Sequence, residues 1–475
     1  MKPRTFLAVL FSVTSAMGAS WPKVGPNYKP PKAEVPGSYH QQGAAGGINT
    51  EAAVGEWWAT LNDPELTALI DRAVRSNLDL KVASSRILEA RAARQVTRAD
   101  LLPTVSSSNT VQRVRGGLVP VGSGVLPPTE SNVFQFGFDA SWEIDFFGGH
   151  RRALEAATAD VAAIGEARRD VLVSLLAEVA RNYSELRGFQ RRLEITDRNI
   201  KLQADSLELT RVRAEAGLGT QLDVERQAAQ FDSTRALVPS LEAAEIRAIH
   251  RLGVLLGEEP GVLLNELTQS KPLPTVPPAV PVGLPADLLK RRADIREAEA
   301  RVAAETARVG VARADLFPKI LLTGAAGRQA TEPSGLTLGA SNFFSFGPAI
   351  TLPIFNAGKI RGNIAAQKQR LEQALTEYQS AVLRSLEETE NSLVSYGREK
   401  ERRERLVAAV EASRQATMLA NEVYVRGLAD FLSVLDAQRQ QLAAEDDLAQ
   451  SDTAVVTDLV ALYKALGGGW EAVRQ

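Results

Sequence analysis

Residues 150–216 constrain the fold more than any other stretch, because nothing in them interrupts an α-helix. They contain no proline and only two glycines, Gly165 and Gly188. Apolar residues recur in alternating steps of four and three, as in a coiled-coil seam, at Leu172, Leu176, Val179, Tyr183, Leu186 and Leu193, with Gln190 filling one step. At about 1.5 Å per residue the helix would be roughly 95 Å long. An ordinary globular domain cannot bury such a rod, so the sequence predicts packing against other rods.

The residues that lead into this helix have a different period. Between positions 132 and 142, one face receives Phe134, Phe136, Phe138, Ala140 and Trp142, and the other receives Gln135, Gly137, Asp139 and Ser141. Strict alternation is typical of a half-buried strand. A second strand is expected before it, at Thr104–Val114. The sequence therefore predicts a one-sided sheet that leads directly into a long helix.

The whole pattern occurs twice. Three pairs of segments show the repeat: Gly217–Val224 with Gly427–Val434, Leu256-Gly257 with Leu466-Gly467, and Arg98–Pro103 with Arg313–Pro318. The first two pairs are 210 residues apart, and we align Gly149 with Gly358 at the start of the long helices. Each copy is predicted to contain a helix, two strands, a long helix, a tip turn and a helix.

In the second copy we expect strands at Ile320–Gly327 and Phe343–Ile354, followed by a long helix at about Lys359–Arg426. One face of the later strand carries Phe344, Phe346, Ile350 and Leu352. The seam of the second long helix contains Leu371, Leu375, Tyr378 and Val382. Both copies therefore carry the same two periodicities in the same order.

Composition and local signals divide the chain into six segments. These are a signal peptide at 1–19, an extended arm at 20–62, a first repeat at 63–267, a proline-rich linker at 268–285, a second repeat at 286–467 and a tail at 468–475. The signal peptide is predicted because Lys2 and Arg4 precede an apolar run and then small residues. No later run of about 18 apolar residues predicts a transmembrane helix.

Three local features of the first repeat carry specific expectations. Trp57 and Trp58 are expected to dock the arm onto the body. Asp63 is a suitable cap for a first helix that continues to about Asp100. The helix after the first tip turn is expected to reach about Leu256, with an interruption at Pro239.

Charge and rare residues exclude several functions. The formal net charge is -2, which gives no electrostatic support for a nucleic-acid partner. The chain has no cysteine, so disulfides, thiolate metal sites and a cysteine nucleophile are excluded. Its three histidines, at positions 40, 150 and 250, lie far apart. We predict neither an enzyme nor a cofactor or metal site.

The predicted strands raise the question of what completes the sheet. Strands of about ten residues match the length that spans a membrane as a β-barrel, but four of them cannot close one. Open edges in lipid would leave backbone groups unpaired. Three chains would supply twelve strands and twelve helical rods, with the aromatic face toward lipid. A soluble half-buried sheet on a helical coiled-coil body fits the residues equally well.

Five motifs together carry a specific resemblance: Val24–Pro30, Gly283–Ile295 followed by Glu297 and Glu299, Ala314–Ile320, Tyr424–Leu428 and Leu435–Arg439. In these motifs the chain resembles the TolC family, specifically the NodT or OprM-like outer-membrane channels of tripartite RND-type efflux systems. The resemblance covers essentially the whole mature chain. It implies a mainly α fold with a β-barrel part: a homotrimer with a 12-stranded barrel in the bacterial outer membrane, continued by a 12-helix periplasmic α-barrel. It implies a periplasmic adaptor and an inner-membrane RND pump as partners, and no catalysis.

Two positions depart from this group. Its members usually carry a lipobox cysteine ahead of the Val-Gly-Pro motif, but here the neighbourhood reads Met17–Trp21. Cysteine-linked lipidation is therefore not expected for this sequence. Ala293 replaces the usual proline at a helix start, for which we expect a small local effect.

The resemblance also assigns roles to the two tip turns. It implies that the adaptor docks at Gly217, Leu218, Thr220, Leu222, Gly427, Leu428, Asp430 and Leu432. It implies a periplasmic gate at Tyr424, Leu432, Asp436 and Arg439. Asp436 and Arg439 share a helix face, so we expect them to pair within or between subunits. Ordinary helix-turn chemistry and a solvated ion pair are the alternatives for these residues.

We therefore predict a passive conduit that exports small molecules, with lipid contacts at the aromatic strands listed above. Two other functions stay open at this point: a channel for type I protein secretion and a soluble periplasmic scaffold. The Gly-Leu-Pro stretch at Gly283 and the Arg-Arg-Ala-Asp-Ile stretch after it favour efflux over protein secretion. The sequence indicates no particular substrate, because a wide tube needs few selective contacts.

Overall fold

The computed structural model describes residues 21–40, 48–49, 55–117, 119–121, 124–126 and 130–471. The predicted signal peptide at 1–19 lies outside these residues. The described residues form two compact units. The first takes those within Met1–Pro31, Ile87–Ile164 and Ala298–Tyr378, and the second those within Lys32–Arg86, Gly165–Glu297 and Gln379–Gln475.

Helices dominate the chain. The α-helices of the described residues are α1 (Pro64–Ser76), α2 (Leu78–Ala99), α3 (Gly149–Glu215), α4 (Gln221–Arg235), α5 (Val238–Leu255), α6 (Leu264–Leu267), α7 (Pro285–Arg291), α8 (Ala293–Ala314), α9 (Lys359–Val425) and α10 (Phe431–Ala465). The two long helices, α3 and α9, have 67 residues each and confirm the predicted rods. None of the described helices is long and apolar enough to cross a membrane.

The strands are β1 (Ile48–Asn49), β2 (Thr104–Arg115), β3 (Val119–Val121), β4 (Gly124–Leu126), β5 (Glu130–Ile144), β6 (Val280–Pro281), β7 (Lys319–Ala330) and β8 (Asn342–Thr351). The main sheet has the order β2-β5-β7-β8, and every neighbouring pair is antiparallel. The hairpin of each repeat is therefore adjacent to the other in one sheet. In the described residues, β2 and β8 each pair along one edge only.

The seam of α3 is buried as the spacing predicts. Leu172, Leu176, Val179, Tyr183 and Leu186 are almost completely buried, and Gln190 joins them with its side-chain amide bonded to Glu245 and to the Leu267 carbonyl, each at 2.8 Å. Leu193 is half-buried. A polar residue is tolerated in the seam because each of its buried groups has a partner.

Arg187 organises the interior of the second unit although it is completely buried. Its guanidinium donates to Glu65, to Gln190 Oε1 at 2.6 Å and to the Gln269 carbonyl at 2.8 Å. Burial raises the pKa of Glu65, but the hydrogen bond from Lys271 and the charge of Arg187 outweigh it and leave that pKa below its ordinary value. This network ties α1 and the proline-rich linker to α3.

The N-terminal arm is partly as predicted. Trp57 and Trp58 are buried and dock the arm, with Trp57 stacked on Tyr463 at 5.3 Å between ring centroids. Residues 57–61 form a 3₁₀ helix instead of an extended chain. Among the described parts, residues 21–40 have no regular helix or strand, but polar contacts hold them in place, such as Tyr28 to Glu299 at 2.8 Å.

Arg152 fixes the Val24–Pro30 motif. Its side chain is 1% exposed and donates to the Val24 carbonyl at 3.1 Å and to Asn27 Oδ1 at 2.7 Å. Gly25 adopts φ +92° and lies directly against Gly310. A side chain at Gly310 would collide with the Arg152 side chain, so this motif needs glycine on the helix it crosses.

Two details of the predicted organisation are wrong. The first helix does not continue from Asp63 to Asp100 but breaks at Asn77, whose Oδ1 accepts from the Leu80 amide at 2.9 Å and starts α2. Gly149 is not the partner of Gly358. The equivalent glycines are Gly148 and Gly358, with φ of +83° and +86°, because both adopt the left-handed conformation just before a long helix.

The interruption expected near Pro239 is confirmed. α4 ends at Arg235 and α5 begins at Val238, so that Pro239 lies in the first turn of α5. Proline is tolerated there because the first amides of a helix have no partner within it. In the second repeat, the corresponding α10 continues without a break.

Candidate functional site

The register of the main sheet gathers the predicted aromatic residues onto one face. Directly opposed residues of antiparallel strands project to the same side. Phe136 pairs with Arg328, Phe138 with Ala326, and Ala326 with Phe344 in turn. The large apolar residues that share this face are Val105, Val111, Phe134, Phe136, Phe138, Trp142, Ile144, Ile320, Leu322, Phe344, Phe346 and Ile350. Leu352 lies just beyond the end of β8.

Many of these side chains are exposed. Phe344 and Phe346 are 87% and 73% exposed, and Phe138 and Ile350 are similarly uncovered, whereas Phe134 and Trp142 are half-buried. The Trp142 indole donates to the Leu101 carbonyl at 3.0 Å. Exposed apolar side chains on one sheet face form a patch that a soluble monomer rarely presents.

The opposite face of the sheet is mostly polar or small, although Val114, Val133 and Leu321 also lie on it. Its members include Ser106, Ser108, Thr110, Gln135, Gly137, Asp139, Ser141, Thr323, Ala325 and Gly327. One aromatic residue, Phe343, also points this way, and its ring lies against Gly137 and Gly327. A sheet with one apolar and one polar face separates two environments.

At the ends of α3 and α9, the two predicted tip turns have the same backbone. Gly217 and Gly427 adopt φ of +72° and +75°. The Leu218 amide donates to the Arg213 carbonyl at 2.8 Å, and the Leu428 amide to the Val423 carbonyl at 3.0 Å. These are Schellman motifs, which require a left-handed residue after the helix and therefore favour glycine.

The next helices begin with the predicted caps. Thr220 and Asp223 form a reciprocal capping box at the start of α4. Asp430 accepts from the Ser433 amide at 3.3 Å at the start of α10. Leucines project from both turns: Leu218, Leu222 and Leu432 are exposed, and Leu428 is 76% exposed. Each turn thus presents apolar side chains on a rigidly capped support.

The four gate candidates do not share one environment. Tyr424 is 6% exposed and packs edge-on against Phe431, with 5.4 Å between ring centroids. The Arg213 guanidinium covers its ring at 4.7 Å. Leu432, Asp436 and Arg439 are exposed. Tyr424 therefore belongs to the interior of the second tip, whereas the other three lie on its surface.

Within the chain, Arg439 does not pair with Asp436. Its Nε donates to Gln230 Oε1 on α4 at 2.6 Å, and among the described residues Asp436 has no ion pair. Helix spacing predicted the pair, but Gln230 competes successfully because α4 and α10 place the amide next to the guanidinium. Pairing of Asp436 with Arg439 between subunits stays a prediction.

Sequence reasoning missed Gln230, Arg213 and Phe431. Gln230 and Arg439 are 209 positions apart, and no local periodicity links them. Phe431 had a detectable signal, since it lies next to Asp430 at the start of a helix, where the first repeat has Gln221. The side chains of Gln230 and Arg213 connect the first repeat to the second at the tips, whereas Phe431 packs within the second repeat.

Farther along α10, Glu445 is a buried carboxylate. It accepts from Arg414 Nε at 2.7 Å, from Gln441 at 3.3 Å and from Asn199 at 3.3 Å. Burial raises its pKa, but these hydrogen bonds and the Arg414 charge outweigh that effect, so the pKa lies below the ordinary glutamate value. Glu445 links α10 to both long helices.

No group of three or more metal-ligating side chains is placed to hold an ion anywhere in the described ranges. A surface cavity of about 690 Å³ lies under the proline-rich linker and is bordered by both cations and anions, among them Arg191, Glu194, Arg403 and Asp452. Arg403 pairs with Asp452 at 2.5 Å. The sheet faces and the tips are therefore the candidate functional surfaces of the chain.

Comparisons with known proteins identify the class. The family model described as outer membrane efflux protein matches residues 69–258 and 284–468. Nodulation protein T of Rhizobium leguminosarum bv. trifolii is 32% identical over 452 residues, covering 95% of each chain. The toluene efflux pump outer membrane protein TtgI of Pseudomonas putida is 32% identical over 459 residues, covering 94% of this chain and 95% of that protein. The solved outer-membrane channel OprN matches with a TM-score of 0.89 and 38% identity, over 94% of this chain and 100% of that one.

The fold is therefore that of the TolC-like outer-membrane channels. The chain belongs to the outer membrane efflux protein family, which confirms the resemblance carried by its motifs. TtgI and OprN are described as an efflux pump outer membrane protein and a channel, not as enzymes. These likenesses support an efflux channel over a type I secretion channel and over a periplasmic scaffold.

Proposed function

We propose that this chain is the outer-membrane channel subunit of a tripartite RND-type efflux system. It acts as a passive conduit through which small molecules leave the periplasm or the pump for the exterior. The observation that carries the proposal is the two-faced sheet: apolar residues such as Phe138 and Phe344 share one face, and serines, threonines and glycines share the other. That division suits lipid outside and water inside.

The open sheet supports a homotrimer. Within the described residues, β2 and β8 end the four-stranded order, and each leaves one row of backbone groups without a strand partner. In hydrocarbon, each backbone group without a hydrogen-bond partner costs on the order of several kcal/mol. Joining β8 of one subunit to β2 of the next satisfies both edges. Three subunits give a 12-stranded barrel, and the repeats at 63–267 and 286–467 supply twelve rods for a periplasmic α-barrel.

The tips are the proposed docking surface for the periplasmic adaptor, which connects the channel to the inner-membrane pump. The capped turns at Gly217 and Gly427 hold Leu218, Leu222 and Leu428 in solvent. Exposed leucines on a rigid support suit a helical partner with an apolar seam, because burying each one on binding is favourable by about 1–2 kcal/mol.

The gate is proposed to lie one or two helical turns beyond, at Leu432, Asp436 and Arg439, with Tyr424 supporting them from beneath. Threefold symmetry would place three copies of each charge around the axis. The hydrogen bond from Arg439 to Gln230 holds α10 against α4, which favours the closed arrangement. Adaptor binding would have to break this contact to open the tube.

The relatives carry names that refer to different cargoes: TtgI is named for toluene, and OpmQ of Pseudomonas aeruginosa, 32% identical over 439 residues, is named for pyoverdine export. We propose small molecules as the cargo class here, since a conduit lined by small polar side chains makes few selective contacts. Selection then lies mainly in the pump.

Cell fractionation tests the function. The natural chain, expressed in a Gram-negative host, is expected in the outer membrane as a trimer that resists detergent until it is heated. Deleting the native gene should sensitise its own host to a substrate of the associated pump, and re-expression should restore resistance. A monomer in the periplasmic fraction would contradict the proposal and favour the scaffold.

A further inference from the structure

Apolar side chains also surround the helix-side end of the sheet, where the strands connect to the long helices. After β8, Ile354 and Phe355 are 92% and 88% exposed. After β5, Phe146 is exposed, and Leu102 and Leu316, just before β2 and β7, are exposed as well. All four strands of the main sheet therefore carry an uncovered apolar residue at this one level.

The N-terminal arm adds a tryptophan at the same level. The Trp21 ring lies 5.1 Å from the Phe146 ring, and the Trp21 carbonyl accepts from Arg151 at 2.7 Å. Farther along the arm, the Val24 amide donates to the Phe147 carbonyl at 3.1 Å. Trp21 nevertheless stays 37% exposed. The arm thus holds an uncovered indole beside the strand ends.

Several contacts hold this part of the N-terminal arm in place independently of the Trp21 indole. Arg151 is held by Asp145, with 3.1 Å between Nε and Oδ2. The buried Arg152 clamps the next residues of the arm through the Val24 carbonyl and Asn27. Phe147 stacks on Phe317 at 4.6 Å, which ties the end of β5 to the approach to β7. Trp21 can therefore be changed without loss of its support.

The chemistry of this band matches a membrane–water interface. An indole combines a large apolar surface with one N–H donor, and tryptophan is enriched where acyl chains meet headgroups. The cations beside it, Lys23 and Arg151, are paired within the chain with Glu155 and Asp145, so the surface around the indole carries balanced charge, as suits a polar headgroup layer. The band is also continuous along β5 and β8 with the apolar sheet face, which ends at Ile144 and Ile350.

We propose that Trp21, together with Phe146, Ile354 and Phe355, anchors the channel in the phospholipid headgroup boundary at the periplasmic end of the barrel. The occupant of this surface is the lipid of the inner leaflet of the outer membrane. The inference rests on the proposed function, because it requires the sheet to lie in a membrane. It adds a role for the N-terminal arm that the conduit itself does not need.

Depth-resolved fluorescence quenching tests the proposal. The full-length channel is reconstituted into phosphatidylethanolamine–phosphatidylglycerol vesicles that carry bromine either near the headgroup or near the bilayer centre. Trp21→Phe and Trp142→Phe variants are prepared in parallel, and each difference spectrum from the natural protein isolates one indole. The other three tryptophans, Trp57, Trp58 and Trp470, lie in the second unit and give a constant background.

We expect bromine near the headgroup to quench most of the Trp21 fluorescence. Bromine at the bilayer centre and aqueous iodide should each quench much less of it. The Trp142 signal reports insertion of the sheet. If bromolipids quench Trp142 while only iodide quenches Trp21, the anchor proposal is contradicted, whereas the proposed channel function is not. If bromolipids quench neither indole, the proposed membrane insertion fails, and the anchor fails with it.

Discussion

The two tips have the same turn but different side chains beneath it. Gly217 and Gly427 adopt the same left-handed conformation, and each is followed by an exposed leucine. Beneath the second turn lie Tyr424, Phe431, Val434 and Leu435, which form a buried cluster. The corresponding residues of the first repeat, 210 positions earlier, are Ala214, Gln221, Val224 and Glu225.

This difference is the basis for proposing different roles for the two tips. Both turns keep what a docking surface needs, which is a capped backbone and exposed leucines. Only the second repeat has an aromatic cluster below the turn and the charges Asp436 and Arg439 farther along the following helix. The first repeat has Arg226 and Ala229 at those two positions. Docking is therefore proposed for both repeats, whereas the gate is proposed for the second repeat alone, with Gln230 of the first as its contact.

The largest effect is expected from Tyr424→Ala, which removes the centre of the aromatic cluster. Truncating a buried aromatic side chain costs roughly 3–5 kcal/mol. Amide hydrogen exchange around Tyr424 and Phe431 should accelerate about a hundredfold or more. Tyr424→Phe keeps the ring and serves as the control. Equal exchange in Tyr424→Ala and the natural protein would show that the cluster does not stabilise the second tip.

Acidification should weaken the second repeat through Glu445. The pKa of this carboxylate is lowered in the folded chain, so its stabilisation is complete above the ordinary glutamate pKa and is lost as pH falls through the lower, folded value. Hydrogen bonds to charged groups contribute about 1.5–3 kcal/mol. Thermal unfolding followed by circular dichroism should therefore show a falling midpoint below about pH 4.

Glu445→Gln tests this assignment, because the acid limb of the profile, in which the unfolding midpoint falls at low pH, should become flatter. Its counterpart in the first repeat is Arg235, which is largely exposed and pairs with Asp232 at 3.8 Å. Arg235→Gln is expected to leave the profile unchanged because an exposed pair contributes little. An unchanged acid limb in Glu445→Gln would assign the transition to other carboxylates.

Substitutions of the docking leucines should have smaller effects, of similar size in both repeats. Leu218→Ser and Leu428→Ser are each expected to weaken binding to the periplasmic adaptor by about 1–2 kcal/mol, or roughly five- to thirtyfold in Kd. Biolayer interferometry on the solubilised channel measures this. Val254→Ser, an exposed residue near the other end of α5, is the control. A loss confined to one tip would contradict docking at both.

The smallest effect concerns the caps. Thr220 forms a reciprocal capping box with Asp223, whereas Asp430 accepts from the Ser433 amide at 3.3 Å and from the Ser433 hydroxyl at 2.9 Å without a reciprocal box. Thr220→Ala should cost about 1 kcal/mol, near the middle of the usual range. Asp430→Ala should cost less. Local hydrogen exchange in the first turns of α4 and α10 measures both, and the opposite order would contradict the difference between the caps.

Much of the fold could be predicted because it depends on local periodicity. The seam from Leu172 to Leu186 and the alternation from Phe134 to Trp142 each need only a few neighbouring residues to be recognised. The left-handed glycines Gly217 and Gly427 are similarly visible, because few other residues adopt that conformation. The register of the sheet then brought the predicted aromatic residues to one face.

The contacts within the tips could not be predicted in this way. Arg439 bonds Gln230 instead of Asp436, and Arg152 is buried beneath the arm, because residues far apart in sequence meet only in the folded chain. The break at Asn77 was missed for a different reason. Its side chain both caps α2 and bonds the Leu255 carbonyl at 2.8 Å, so a tertiary contact reinforces a weak local signal.

Single-channel conductance in planar lipid bilayers tests the central claim most directly. The natural trimer is expected to insert and to conduct poorly, because Asp436, Arg439 and Leu432 close its periplasmic end. Asp436→Ala combined with Arg439→Ala should raise the conductance several-fold, whereas Arg226→Ala, the first-repeat counterpart of Asp436, should not. Channels that conduct equally in all three proteins would contradict a gate in the second repeat.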